Sequence, residues 1–252
     1  YNGERYLAEA IESVLTQTYG NWEIIFWDNQ STDRSAEICN GYGEPRIRYF
    51  HSDRHTSLGE ARALALEQAR GDYIAVLDVD DVWVQLPLFA DPEVGIVISD
   101  TLFFNDNGAQ RQLFGNHPPP QGYVFSQLLK SYFCSLETVV LRRRAIDSLG
   151  QAFDSALSHI SDFDLIVRLS KDWKQVFGRN HAIHSCATAS SPKPLRSWPA
   201  TNARSVELRW PRTFSRPQKR PWYIWQPGCR SQTYSCNVIA SARRWYERRL
   251  TR

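Results

Sequence analysis

Three carboxylates, Asp78, Asp80 and Asp81, stand at the end of the apolar run Tyr73-Ile74-Ala75-Val76-Leu77. Like charges this close repel one another unless a cation sits among them. Hard carboxylate oxygens suit Mg2+ or Mn2+, and a diphosphate could supply the remaining ligands of such an ion. The same residues also suit the first turn of a helix, where Asp caps the chain and acidic side chains complement the dipole. By themselves they leave both readings open. A second acid, Asp28, ends the run Trp22-Glu23-Ile24-Ile25-Phe26-Trp27 and opens the polar cluster Asn29-Gln30-Ser31-Thr32-Asp33. It either serves a ligand at a strand tip or caps the helix that follows.

These acids need elements to hold them. Both apolar runs are short, rich in β-branched or aromatic residues, and read as buried strands. Ligands of open α/β sheets gather beyond the carboxyl ends of such strands, where Asp28 and Asp78 lie. Helical spacing marks residues 2–17, 34–40, 58–70, 124–132, 145–150 and 161–171. Further strands are expected at residues 47–50, 94–104, 138–141 and 173–177, with a hairpin-like turn at Asn105–Gly108. Helix and strand alternate through the first hundred residues, the pattern of a parallel sheet flanked by helices. In the helix over 58–70, Ala61, Leu64, Ala65 and Leu66 form the expected buried side, which leaves Arg62 as a surface residue by default.

Composition bounds the remainder. The chain has 252 residues, 30 Lys and Arg, 27 Asp and Glu, and no Met. Fourteen of the basic residues and only two of the acids lie after residue 187, so that tail carries +12 and the preceding part −9. The tail, residues 188–252, has no sustained period and reads as poorly ordered, either an out-of-frame translation or a basic, aromatic segment for nucleic acid or an anionic surface. Only Val238–Leu250 looks helical within it. Residues 1–187 form the first domain. The five cysteines show no CxxC spacing, which fits small buried thiols in a reducing cytoplasm. No run approaches the length of a membrane span. Arg142-Arg143-Arg144 reads as a solvated strand end rather than an anionic-lipid patch.

Taken together, Tyr1-Asn2-Gly3, Asp28 to Asp33, Gly59-Glu60-Ala61-Arg62, Gly71 to Asp81, and Ser161-Asp162-Phe163-Asp164-Leu165 with Arg168 resemble the family 2 glycosyltransferases of the GT-A fold. The likeness runs from residue 1 to about 187. It implies a Rossmann-like, mostly parallel sheet whose first strand, before Tyr1, is missing, so that a neighbouring strand is left with an open edge. It implies transfer of a sugar, with inversion, from a UDP- or dTDP-linked donor to a glycan or lipid-linked acceptor, using Mn2+ or Mg2+. Tyr1, Asp28, Arg62 and Asp78 would bind the nucleotide sugar. Asp80, with His184, would hold the metal, and Asp162 would be the general base. The implied setting is polysaccharide assembly in the cytoplasm or at the inner face of the membrane, with nucleic acid not a partner. Ser161 departs from the family's usual Glu before the base, and the segment after Asp81 is shorter than usual. The start at Tyr1, that short segment and the tail also fit a catalytically impaired remnant that keeps the fold.

Overall fold

A computed structural model describes residues 1–83, 89, 91–104, 110–155, 157, 160–185 and 222–226, with side chains left out for 102–111, 179–185 and 222–226. The expected turn at Asn105–Gly108 and helix at Val238–Leu250 lie outside the described residues. In chain order the elements are α1 (Leu7–Leu15), β1 (Trp22–Asp28), α2 (Ser35–Gly41), β2 (Ile47–His51), α3 (Leu58–Gln68), β3 (Tyr73–Val76) and β4 (Asp81–Trp83). They continue with β5 (Val94–Phe104), β6 (Gln110–Gln112), α4 (Phe125–Lys130), β7 (Val139–Arg142), α5 (Arg143–Asp147), α6 (Ser161–Asp172), β8 (Lys174–Ser185) and β9 (Trp222–Gln226).

All nine strands join one sheet in the order β2-β1-β9-β3-β7-β5-β8-β4, with β6 paired to β5. The half that carries Asp28 and Asp78 is parallel: β1 runs with β2 and β9, and β9 runs with β3. Antiparallel pairing enters at β7, which meets both β3 and β5. The alternation of side chains along a strand serves both faces. Ile25 and Trp27 of β1, with Ile74 and Val76 of β3, pack into one apolar core beside α3, α4 and α6. Ile24 and Phe26, with Ala75 and Leu77, pack into a second core beneath α1. Helix α6 is buried along nearly its whole length, from Ser161 to Leu169, as a helix enclosed on several sides must be.

Strand β9 alters the expected sheet. Where the resemblance implies a missing strand, Trp222 to Gln226 pair in parallel with Trp22 to Phe26 on one side and with Tyr73 to Val76 on the other. The open edge anticipated beside β1 or β3 is therefore absent among the described residues. The tail, expected to lack order, contributes this strand. Its short apolar run, bounded by Pro221 and Pro227, carries a strand signal that the irregularity around it obscures.

Two of the three arginines at the end of β7 are not solvated, while Arg144 is exposed as expected. Arg142 donates to the carbonyls of Val94 and Asp91, both at 2.8 Å, and Arg143 donates to the carbonyl of Gly71. They brace the entrance of the central strand against the loop before β5.

Candidate active site

The tip of β1 and the turn after β3 are held in a common cluster by the first residues of the chain. Asn2 donates its backbone N–H to Ser31 Oγ at 2.9 Å, and its Oδ1 accepts from the Thr32 N–H at 2.8 Å. Gly3 donates to Ser35 Oγ at 3.0 Å and Glu4 to Asp33 Oδ2 at 2.9 Å. Asn2 takes a positive φ of 51°, which Asn tolerates better than most residues. On its other side Gly3 lies so close to Val79 that a Cβ there would overlap the valine methyls. Tyr1-Asn2-Gly3, the Asp28 turn and the Asp78–Asp81 turn thus converge on one end of the sheet.

Asp28 is 1 % exposed. Its Oδ1 accepts the Ser31 N–H at 2.7 Å and its Oδ2 accepts the Tyr49 hydroxyl at 2.7 Å. Asp28 does not cap α2, whose N-cap residue is Arg34; it is Asp33 Oδ1 that accepts the Ser35 N–H, at 3.0 Å, just before the helix. Burial, together with the hydrogen bond to Asp28, pushes the Tyr49 phenol well above its usual range. Burial, and then the charge of Asp28, push the Cys39 thiol up to about 12. Tyr49 was not visible as a site residue in the sequence. It sits on β2 in register with Phe26, and only parallel pairing brings it to Asp28. A hydrogen bond to an ionised group contributes about 1.5–3 kcal/mol. Tyr49→Phe is therefore expected to weaken nucleotide binding about tenfold with little change in turnover at saturation, measured by calorimetry and steady-state kinetics.

Tyr1 is 42 % exposed and meets His55 edge-on, with ring centroids 4.8 Å apart. His55 is anchored through Nδ1 to the Asn29 carbonyl at 2.9 Å. Asn29 Oδ1 in turn accepts from the Thr56 N–H and hydroxyl, both at 3.0 Å.

The Asp78–Asp81 segment is a tight turn closed by the Asp81 N–H donating to the Asp78 carbonyl at 3.0 Å. Strand β4 follows it directly. The helix-cap reading of these acids is thereby removed. Strand β4 pairs with β8 so that Asp81 stands opposite His184, which also lies opposite Phe103 of β5. The backbone of His184 is thus one residue removed in register from Asp80.

Arg62 is not a surface residue. It is 5 % exposed and lies in the buried stripe of α3 with Gly59, Ala61 and Ala65. Its Nη2 is 3.7 Å from Asp78 Oδ1, and its Nη1 donates to Ser161 Oγ at 3.2 Å. Asp162, next along, is 4 % exposed in the first turn of α6. Burial, and then the charge of Asp162, push the Cys134 thiol upward. Arg168 does not join this cluster. It pairs with Asp164 at 2.6 Å and donates to the carbonyls of Gln151 and Ala152, a brace for the loop after α5.

A family model described as glycosyl transferase family 2 matches residues 1–150. The chain belongs to glycosyl transferase family 2. Among its relatives, the putative glycosyltransferase EpsE of Bacillus subtilis (strain 168) is 42 % identical over 79 % of this chain and 74 % of its own length. The UDP-Glc:alpha-D-GlcNAc-diphosphoundecaprenol beta-1,3-glucosyltransferase WfgD of Escherichia coli is 29 % identical over 68 % of this chain and 67 % of its own. A mannosyltransferase of Pyrobaculum calidifontis, solved with GDP-Man and Mn2+, superposes with a TM-score of 0.56 at 16 % identity, over 75 % of this chain and 56 % of that one. This last likeness establishes the GT-A fold, and the chain spans little more than half the length of that structure. Family 2 membership makes the chain a glycosyltransferase, and the GT-A sheet puts its acid turn on the side where such folds receive their ligands.

No group of three His, Cys, Asp or Glu side chains able to hold a metal occurs among the described residues. The carboxylates of the acid turn nonetheless fit a divalent cation of the Mg2+ class. Such ions are held by one or two carboxylates plus substrate phosphates rather than by an all-protein cage. No helix among the described residues is long and apolar enough to cross a membrane. Cys39 and Cys134 are buried and free of disulfides.

Proposed function

We propose that this glycosyltransferase moves a sugar, with inversion, from a nucleoside diphosphate donor to a hydroxyl of a glycan or lipid-linked acceptor, and that it needs a divalent metal. The observation that carries this reading is the convergence of Tyr1 to Gly3, the Asp28 turn and the Asp78–Asp81 turn, with Arg62 joining Asp78 to the helix that bears Asp162. Tyr1 and Asp28 take the base and ribose of a UDP- or dTDP-linked donor. Asp78 faces the ribose side and Arg62 supplies positive charge near the diphosphate. Asp80 would hold Mn2+ or Mg2+, which would neutralise charge on the departing diphosphate; the side chain of the other expected ligand, His184, lies outside the described residues.

Asp162 takes the proton. As the acceptor oxygen approaches the anomeric carbon, its O–H proton passes to the Asp162 carboxylate and the bond from that carbon to the diphosphate oxygen breaks. Direct displacement with one base inverts the anomeric centre, whereas hydrolases need two flanking carboxyl groups. The WfgD relative uses a UDP-glucose donor and a lipid diphosphate acceptor by its name, which supports a UDP-sugar and a lipid-linked acceptor here. That chemistry belongs in the cytoplasm, with the acceptor presented at the inner face of the membrane. Calorimetric titration of the full chain with UDP-glucose and UDP-galactose, with and without Mn2+, tests the reading. Binding that strengthens when Mn2+ is present is the expected result. A folded sample that binds neither sugar nucleotide under any metal condition overturns it.

A further inference from the structure

We propose that helix α3 couples the donor end of the site to the base end, with Arg62 as the positioning residue. This deepens the reading above, because it rests on Asp78 as a donor-side group and Asp162 as the base. Three contacts of α3 and its cap carry the argument. Ser57, which caps the helix by accepting the Glu60 N–H, donates its hydroxyl to the Ser155 carbonyl at 3.2 Å. Gly59 is in such close contact with the segment before α6 that a Cβ there would stand 2.6 Å from the Leu157 oxygen, 2.9 Å from the Asp154 oxygen and 3.5 Å from Ser161 Cβ. Arg62 then reaches both ways, to Ser161 at 3.2 Å and to Asp78 at 3.7 Å.

The chemistry of the guanidinium makes this a link rather than two separate contacts. It is a rigid planar fork, always charged, so its two ends cannot reorient independently. In a buried site its attraction to Asp78 is screened little by solvent. When a diphosphate and a cation arrive beside Asp78, the charge facing one end of the fork changes. The other end holds Ser161, the residue preceding Asp162. Gly59 denies the α6 segment room to adjust on its own, because the contact is backbone against backbone. Donor occupancy is therefore transmitted to the first turn of α6 through one side chain and one closely packed helix. The coupling is reciprocal, as any linkage between two sites must be.

Amide hydrogen exchange on the full chain reads this directly. The reporters are Asp164, Leu165 and Ile166 near the start of α6; the Asp164 N–H bonds to the Ile160 carbonyl at 3.0 Å. In the parent chain, UDP with Mn2+ should slow exchange at these amides about fivefold as well as around Asp78 to Asp81. Arg62→Gln, which loses donor affinity with its charge, is read at UDP and Mn2+ concentrations raised until Asp78 to Asp81 are protected as in the parent chain; at that occupancy it should still lose the protection in α6. Arg62→Lys, which keeps the charge but not the fork, should lose it as well. Protection of Asp78 to Asp81 with no change in α6 of the parent chain overturns the coupling. If UDP protects neither segment, the donor reading fails, and the coupling is then judged without ligand. In that arm Ser161→Ala and Gly59→Ala should each speed exchange near the start of α6 severalfold, with α1 unaffected. Unchanged α6 rates in both variants overturn the inference.

Discussion

Asp162→Asn is expected to lower turnover by about 10²–10⁴-fold while binding of UDP and Mn2+ stays within about twofold of the parent chain. The amide has the size of the carboxylate and keeps its hydrogen-bonding reach, but it cannot accept the acceptor's proton. Its surroundings make the substitution clean. Asp162 is 4 % exposed in the first turn of α6, two residues beyond the N-cap Ile160. Cys134 is a thiol pushed upward by burial and by this same charge, so it is not a substitute base at neutral pH. The measurement pairs calorimetry with the rate of UDP release from whichever UDP-sugar the parent chain binds. Turnover retained at the parent rate would remove Asp162 from the mechanism. A loss of binding equal to the loss of rate would assign it a role in holding the donor.

Asp80→Asn is expected to abolish the metal-dependent part of nucleotide binding, about a hundredfold in affinity, and to leave a weaker, metal-independent affinity for UDP. A neutral amide is a poor ligand for a hard cation, and a Mg2+-type ion rests on only one or two protein carboxylates. On the proposed reading the residual affinity would come from groups the substitution does not touch: Tyr1 beside His55, and Asp28 fixed by Ser31 and Tyr49. Asp80 lies in a turn closed by the Asp81 N–H and the Asp78 carbonyl, so the backbone holds its shape without the side chain. The check is the ratio of UDP affinities with and without Mn2+. A ratio in the variant equal to that of the parent chain would falsify the assignment of Asp80 to the metal.

Several features of the site follow from local pattern. The strand ends at Asp28 and near Asp78 are visible because a short apolar run meeting a carboxylate is a local event, set by alternation and burial within a few residues. The amphipathic stretch of α6 is legible for the same reason, and its first turn necessarily presents Asp162. Local pattern misreads residues whose partners are far along the chain. Arg62 has the sequence neighbourhood of a surface residue, yet its contacts are Ser161 and Asp78 on other elements. Asp28 has the neighbourhood of a helix cap, yet it bonds Ser31 and Tyr49, and it is Asp33 that meets the Ser35 N–H before α2. Arg142 and Arg143 look solvated, and instead tie the end of β7 to the carbonyls of Asp91, Val94 and Gly71.

By itself the sequence determined which residues are acids at strand tips, which segments are helices, and which family the joint pattern resembles. Those properties depend on side-chain chemistry and short-range periodicity. Only the tertiary structure decided that the Asp78–Asp81 turn leads into a strand rather than a helix, that His184 stands in register with Asp81, and that Trp222–Gln226 runs between β1 and β3. The physical reason is that strand order and register are settled by hydrogen bonds and burial between segments remote in sequence. A one-residue slip would carry every side chain to the other face, and only the assembled sheet supplies the constraint that forbids it.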